Sequence, residues 1–408
     1  MKIIDGGVTA AVGFEAAAVH AGIKEGSTKD DMALVYTKEP ATFAGVFTTN
    51  VVKAAPVKWD IELVQTKATV NAMVLNSGIA NACSGIQGIE SNRLMAKSIA
   101  DKLALVPEDV LTASTGVIGY QLPVDTISRG AAKLCVELAN TREAAHEAAV
   151  AIMTTDTIPK ECAVEVMIGG KKVHIGGMTK GSGMIHPNMA TMLCCVTTDC
   201  SITKEMLQKA LSDDVKKTFN MISVDRDTST NDTYVVMANG LAENPMIESE
   251  GVDYDIFCQA LNMVTTTLAK QMAGDGEGAH KLLEVMCNGA KDKKQAVTIA
   301  KSVISSNLVK TAICGNDANW GRILCAMGYS GADFNPDVVD LTIKSCAGSL
   351  NIVKSGIATD YSEKKATEIL NQEEVTVVIE LHLGQETATA WGCDLTHEYI
   401  DINADYRS

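Results

Sequence analysis

A chain of 408 residues, 46% hydrophobic and 21% charged, can bury a large core and divide into two domains or subdomains; it is not a disordered polymer. Its formal net charge of −15 argues against nucleic acid and anionic membrane surfaces as partners, and 4% aromatic content leaves little on which bases could stack. A small anionic substrate is not excluded, because it needs only a local positive group.

In chain order, the start Met1-Lys-Ile-Ile-Asp-Gly-Gly7 lacks a charged region followed by an apolar core. Glu15 and then His20 break the small-residue run behind it. No secretory signal is expected, and no run of about 18 apolar residues suggests a membrane span. Strand-like runs are expected at Met73–Asn76, Ala163–Ile168 and Thr191–Asp199. A helix follows, with Met206, Leu207, Ala210, Leu211, Val215 and Phe219 on one face. Thr233–Ala238 reads as a strand, and Tyr254, Phe257, Leu261, Val264 and Leu268 as a helix face. A third helix is expected from Ala300 to Ile313, with Val303, Ile304 and Leu308 inward. Val375–Leu383 and Glu386–Trp391 close the series as strands.

Strands and helices mix throughout, so the fold class is α/β or α+β. Strict βαβ alternation is not evident, and no G-x-G-x-x-G opens a helix after a strand, so a dinucleotide fold is not favoured. The polar stretch Asn288-Gly-Ala-Lys-Asp-Lys-Lys-Gln295 reads as a boundary between two units or, equally, as a surface loop. Twelve scattered cysteines, with no C-x-x-C, fit neither a disulfide framework nor zinc-ligand spacing. Reduced thiols in a cytoplasmic protein are the expectation.

The most informative segment is Lys180-Gly-Ser-Gly-Met-Ile-His-Pro-Asn-Met-Ala-Thr191, a Gly- and Pro-punctuated loop that runs into an apolar, β-branched strand. A threonine at that junction is ordinarily just the first residue of a strand. It becomes a nucleophile if something takes its proton. Cleavage of the Ala190–Thr191 bond supplies such a base: the new α-amine, with a reference pKa of about 7.7–8.0, lies beside the hydroxyl.

Several other segments carry chemistry or turn geometry. They are Ser114-Thr-Gly-Val-Ile-Gly119, Met153-Thr-Thr-Asp-Thr157 with Pro159-Lys160, Gly274-Asp-Gly-Glu-Gly278, Gly315-Asn-Asp-Ala-Asn-Trp-Gly-Arg322 and Asn403-Ala-Asp-Tyr-Arg-Ser408. Together with the loop before Thr191 they resemble, in order and over nearly the whole chain, the ornithine acetyltransferase (glutamate N-acetyltransferase) family of arginine biosynthesis.

The resemblance implies stacked β layers flanked by helices, related to the L-aminopeptidase/D-esterase architecture. A smaller α/β unit would occupy about residues 288–408. It implies self-cleavage into residues 1–190 and 191–408, the main domain running to about 287, with two of each fragment in the assembly. Thr191 would carry acetyl from N²-acetyl-L-ornithine to L-glutamate. No metal or bound cofactor is implied. No phosphate-cradling loop or basic patch decides whether acetyl-CoA also serves as co-substrate.

Residue by residue, the resemblance implies an oxyanion hole at Thr115 and Gly116, where residues alone would equally support a plain turn. Lys180 would hold a substrate carboxylate, although a loop lysine is usually just solvated. Thr154 would bind substrate, with Thr155 a competitor that sequence does not separate. Glu277 would hold the substrate's amine, unless the turn is merely acidic, and Asp275 would be structural. Asn403 and Ser408 would bring the C-terminal tail to the substrate, where a chain end is ordinarily frayed.

Two departures stand out. Arg226 replaces a usual glycine in Asp225-Arg-Asp-Thr-Ser-Thr-Asn-Asp232, and His280 replaces a common threonine. Two other readings remain: a self-cleaving aminopeptidase or amidase that gives the acyl group to water, and an uncleaved amino-acid-binding protein.

Overall fold

The computed structural model describes residues 1–186 and 192–404. The chain opens with β1 (Lys2–Ile4), β2 (Phe14–Val19), β3 (Met32–Phe47), α1 (Ala55–Thr66), β4 (Thr69–Ile79), α2 (Gly85–Leu103) and β5 (Val110–Val117). Next come α3 (Val124–Glu137), α4 (Arg142–Ala151), β6 (Lys160–Ile168), β7 (Lys171–Lys180) and β8 (Leu193–Thr198). The middle continues through α5 (Lys204–Asp214), β9 (Ile222–Ser223), β10 (Thr233–Ala238) and α6 (Val252–Gly274). The remainder begins with β11 (Leu282–Ala290), α7 (Lys293–Ile304), α8 (Asn307–Cys314) and α9 (Trp320–Gly328). Then follow β12 (Asp340–Ser345), β13 (Gly348–Lys354), β14 (Ile357–Ala358), α10 (Glu363–Leu370), β15 (Glu374–Glu380), β16 (Glu386–Cys393) and α11 (Glu398–Ala404).

Among the described residues, nine strands form one mixed sheet in the order β1-β6-β7-β8-β10-β3-β4-β5, with β2 paired to β3. Seven form a second, β14-β13-β12-β15-β11-β16-β9. Helix α6 lies between them, packed on β6 and β7 on one side and on β16 and β11 on the other. Its expected face of Tyr254, Phe257, Leu261, Val264 and Leu268 is buried throughout. The class is thus mixed α/β, with sheets and helices in stacked layers.

Thr233–Ala238 is β10 as expected, and the other expected runs with described residues fall within or overlap β4, β6, β8, β15 and β16. Four expectations need correction. The helix from Ala300 to Ile313 is two helices, because Ser306 leaves the helix and caps the next, its Oγ accepting from Val309 N. That restart changes the phase, so Leu308 is 59% exposed, not inward, and Val309 and Ile313 are buried instead. Phe219 is buried, but on a short 3-10 turn after α5 has ended. The stretch Asn288–Gln295 is not a boundary: it ends β11, makes a short exposed connection at Lys291 and Asp292, and starts α7, capped by Asp292. The second sheet begins earlier, at β9 and the start of β11.

Candidate active site

The central strands bring distant segments to one place. Lys180, last in β7, pairs in register with Leu193, first in β8. On the far side of the sheet, parallel β4 and β5 pair Ser77 with Thr115 and Gly78 with Gly116. The connection from α4 to β6 carries Thr154, the turn after α6 carries Glu277, and α11 carries Asn403. All five segments converge on one open cavity. Thr115, Gly116, Thr154, Lys180, Glu277 and Asn403 all line it.

Lys180 is only 7% exposed. Its Nζ donates to Thr154 Oγ1 at 2.6 Å and Thr115 Oγ1 at 3.3 Å, and lies 3.7 Å from Asp156 Oδ2. Burial pulls the Lys180 ammonium below its ordinary value, and Asp156 opposes that pull. Each hydroxyl that accepts from Lys180 keeps its own proton to donate, so Thr115 can offer O–H to a developing oxyanion. Thr155 also lines the cavity, but Thr154 is the one engaged by Lys180.

Gly116 has φ +128, and a Cβ there would lie 2.2 Å from the Gly78 carbonyl carbon. The two strands approach at this point only because Gly116 lacks a side chain. On the segment just past Lys180, Ser182 O accepts from Glu277 N at 3.1 Å, and Asn403 Nδ2 donates to Glu277 Oε2 at 2.7 Å. A Cβ on Gly183 would fall 2.3 Å from the Glu277 carboxyl carbon, so that glycine makes room for the acid. The cavity therefore has a cationic side at Lys180 and an acidic side at Glu277.

Sequence reasoning missed part of the support. Asp156 accepts Thr154 N at 3.0 Å and Gly181 N at 2.7 Å. Burial alone would raise its pKa, but Lys180 and Lys160 hold the carboxyl well below the usual range. Asn231 Nδ2 donates to Ala80 O at 2.6 Å and Ser114 O at 2.7 Å, fixing β5 just before Thr115 and Gly116. The Met-Thr-Thr-Asp-Thr run ahead of a Pro-Lys does not reveal in sequence that its aspartate is buried. Asp275 accepts from Lys160 Nζ and Thr157 N.

Ala190, Thr191 and Ser408 lie outside the described residues. The next two residues in the chain, Met192 and Leu193, line the cavity. No histidine is among the described residues that line it. His186, in the loop leading toward Thr191, bonds Ser223 Oγ at 2.9 Å, and burial brings its pKa down to about 4.

Comparison with known proteins decides the family. The ArgJ family model matches residues 15–408. The chain belongs to the ArgJ family. It is 48% identical, over the full length of both chains, to the arginine biosynthesis bifunctional protein ArgJ of Caldanaerobacter subterraneus subsp. tengcongensis. A crystal structure of arginine biosynthesis bifunctional protein argJ from Bacillus halodurans is 48% identical, covers 51% of this chain and 96% of that one, and has a TM-score of 0.49. The Mycobacterium tuberculosis ornithine acetyltransferase, solved with ornithine, is 40% identical, covers 46% of this chain and 99% of that one, and has a TM-score of 0.43. The family is the one the sequence motifs resemble, and the chain is an enzyme of arginine biosynthesis.

Within this ArgJ-family chain the two departures find physical accounts. Arg226 has φ +73, the left-handed region that a glycine fills without strain. The turn is held regardless, because the Asp225 carboxylate accepts Met184 N at 2.6 Å, Ile185 N at 2.9 Å and Asp227 N at 3.1 Å. Arg226→Gly is expected to raise stability by about 1 kcal/mol, the left-handed strain exceeding glycine's extra unfolded-state entropy. A higher urea midpoint with an unchanged m value is the readout, and an unchanged midpoint argues against strain at this turn. His280 is at the surface: its Nε2 lies 3.7 Å from Glu398, and both side chains are exposed.

Proposed function

We propose that this protein transfers acetyl from N²-acetyl-L-ornithine to L-glutamate through an acetyl-threonine at Thr191, after cleavage between Ala190 and Thr191. The observation that carries the reading is the convergence of an oxyanion pair, a buried cation and a carboxylate on a cavity lined by Met192 and Leu193. In the first step Thr191 Oγ attacks the acetyl carbonyl, and its α-amine takes the hydroxyl proton. Gly116 N–H and Thr115 O–H stabilise the oxygen as it becomes negative. The C–N bond then breaks, the amine leaves with the proton, and Thr191 keeps the acetyl ester. Glutamate's amine attacks that ester, and the threonine oxygen recovers its proton.

Substrate polarity matches the walls. Lys180 faces an α-carboxylate, and Glu277, aligned by Asn403, faces ornithine's side-chain ammonium. Ser408 would join Asn403 in closing the site. That no described histidine lines the cavity supports the α-amine as base. The name shared by the relatives, arginine biosynthesis bifunctional protein, supports a second activity in which acetyl-CoA charges the same threonine. The reading carries with it two fragments of each kind in the assembly and a cytoplasmic location.

Intact-mass measurement before and after brief exposure to N²-acetylornithine tests the reading. Two fragments split at Ala190/Thr191 are expected, with one acetyl increment on the C-terminal fragment. A single full-length mass without an adduct removes the mechanism. Release of acetate at full rate without glutamate would point instead to an amidase.

A further inference from the structure

Lys160 starts β6 with its side chain 0% exposed, an unusual position for an ammonium group. Its Nζ donates to Asp156 Oδ1 at 2.7 Å, Asp275 Oδ2 at 2.5 Å and Ile158 O at 3.3 Å. One carboxylate lies beside Lys180, and the other opens the turn that carries Glu277. Asp156 holds the cationic wall through Thr154 N, Gly181 N and Lys180. Asp275 begins the turn that ends at Glu277, and its own carbonyl accepts Ser182 Oγ at 2.7 Å. Asp275 also accepts from the Thr157 hydroxyl and from Thr157 N, so it is fixed from both sides. One buried ammonium thus ties the wall that carries Lys180 to the wall that carries Glu277.

We propose that Lys160 sets the separation between the cationic and acidic walls and so selects donors by the length of the chain between their carboxylate and their side-chain amine. This rests on the functional reading above. Lys160 touches no substrate; it is a positioning residue that acts through Asp156 and Asp275. A buried ion triad is well suited to the task. Its ions cannot drift apart without leaving uncompensated charge in the interior, so the spacing resists deformation. A donor one methylene longer or shorter moves its ammonium by roughly an ångström, enough to mismatch a fixed carboxylate. Discrimination of about 10–200-fold per methylene is what such a fixed site can sustain.

The test compares kcat/KM for acetyl transfer to glutamate from three donors: the Nα-acetyl derivatives of 2,4-diaminobutyrate, ornithine and lysine. The full chain is used in wild-type form and as Lys160→Met, Lys160→Arg and Asp275→Asn. If the wild type transfers acetyl from none of the three, the functional reading falls and this inference falls with it. If the wild type prefers the ornithine derivative, Lys160→Met is expected to reduce that preference over the lysine derivative by about 10-fold or more. Lys160→Arg, with its longer and wider head, is expected to shift preference toward the longer donor. A loss of rate equal for all three donors, with preference within twofold of wild type, shows a merely structural role and overturns the proposal. Should Lys160→Met fail to fold, Asp275→Asn gives the same readout, because it keeps the Lys160–Asp156 pair while weakening the bonds that tie the Glu277 turn to Lys160 and Thr157. An unchanged preference in that variant also overturns the proposal.

Discussion

Gly116→Ala is expected to lower kcat for acetyl transfer by about 10²–10³-fold, the cost of losing one oxyanion donor. The added methyl would lie 2.2 Å from the Gly78 carbonyl carbon and 2.3 Å from its oxygen, and φ +128 disfavours any side chain. Backbone blocks the methyl, so no side-chain rotation relieves the clash; β4 and β5 must separate. That separation tips the Gly116 N–H away from the acetyl oxygen and drags Thr115 with it. Lys180, Thr154 and Glu277 are on other segments, so substrate binding is expected to change less than turnover. Steady-state kinetics with a thermal midpoint read the effect. Activity within 10-fold of wild type would remove Gly116 from the oxyanion site.

Lys180→Met is expected to act on both binding and structure. The carboxylate loses its only cation among the described residues lining the cavity, so kcat/KM for N²-acetylornithine is expected to fall by at least about 10²-fold. Asp156 also loses one of the two lysines that keep it ionised, which costs on the order of 3 kcal/mol at neutral pH. The pH dependence has a definite sign. Asp156's folded pKa is depressed, so its contribution to stability is present above its unfolded value and is lost as pH falls through the folded value. Without Lys180 that folded value rises, and acid unfolding of the variant is expected to begin at higher pH than in wild type. Acid titration followed by circular dichroism checks this. Coincident acid midpoints would show that Lys160 alone keeps Asp156 charged.

The site was legible in sequence wherever a short motif carries both a special backbone and a reactive group. Thr115-Gly116, Thr154, Lys180, Glu277 and Asn403 come from five segments, yet each sits in a recognisable local run, and the structure gathers them in one cavity. Burial was the hidden quantity. Nothing local separates Asp156 and Lys160, which are buried, from Thr157, which is exposed. The fold showed the same divide. β10 was plain because all six of its residues are apolar or β-branched and buried. β3 was not, because Lys38, Glu39 and Pro40 interrupt it where its register with β4 shifts. β7 was missed although Gly169-Gly170, both at positive φ, gave a hairpin signal before it. The helix break at Ser305–Ser306 was hidden because apolar spacing continues across it, while only a serine cap marks the restart.

The order of strands in the larger sheet has a thermodynamic consequence. β8 and β10 follow the proposed cut, and they sit at the centre of the sheet. β7 on one flank and β3 on the other both precede it. A nicked molecule therefore has one polypeptide wedged between two halves of another, and the pieces cannot part without tearing the middle of the sheet. The native state would keep its cohesion through the cut, but the unfolded state would become two free chains. Refolding would then be a bimolecular event, and the melting temperature would rise with protein concentration by mass action even in the absence of any further assembly. Cleavage turns a one-chain folding problem into an obligate association, which makes processing easier to tolerate after folding than before it.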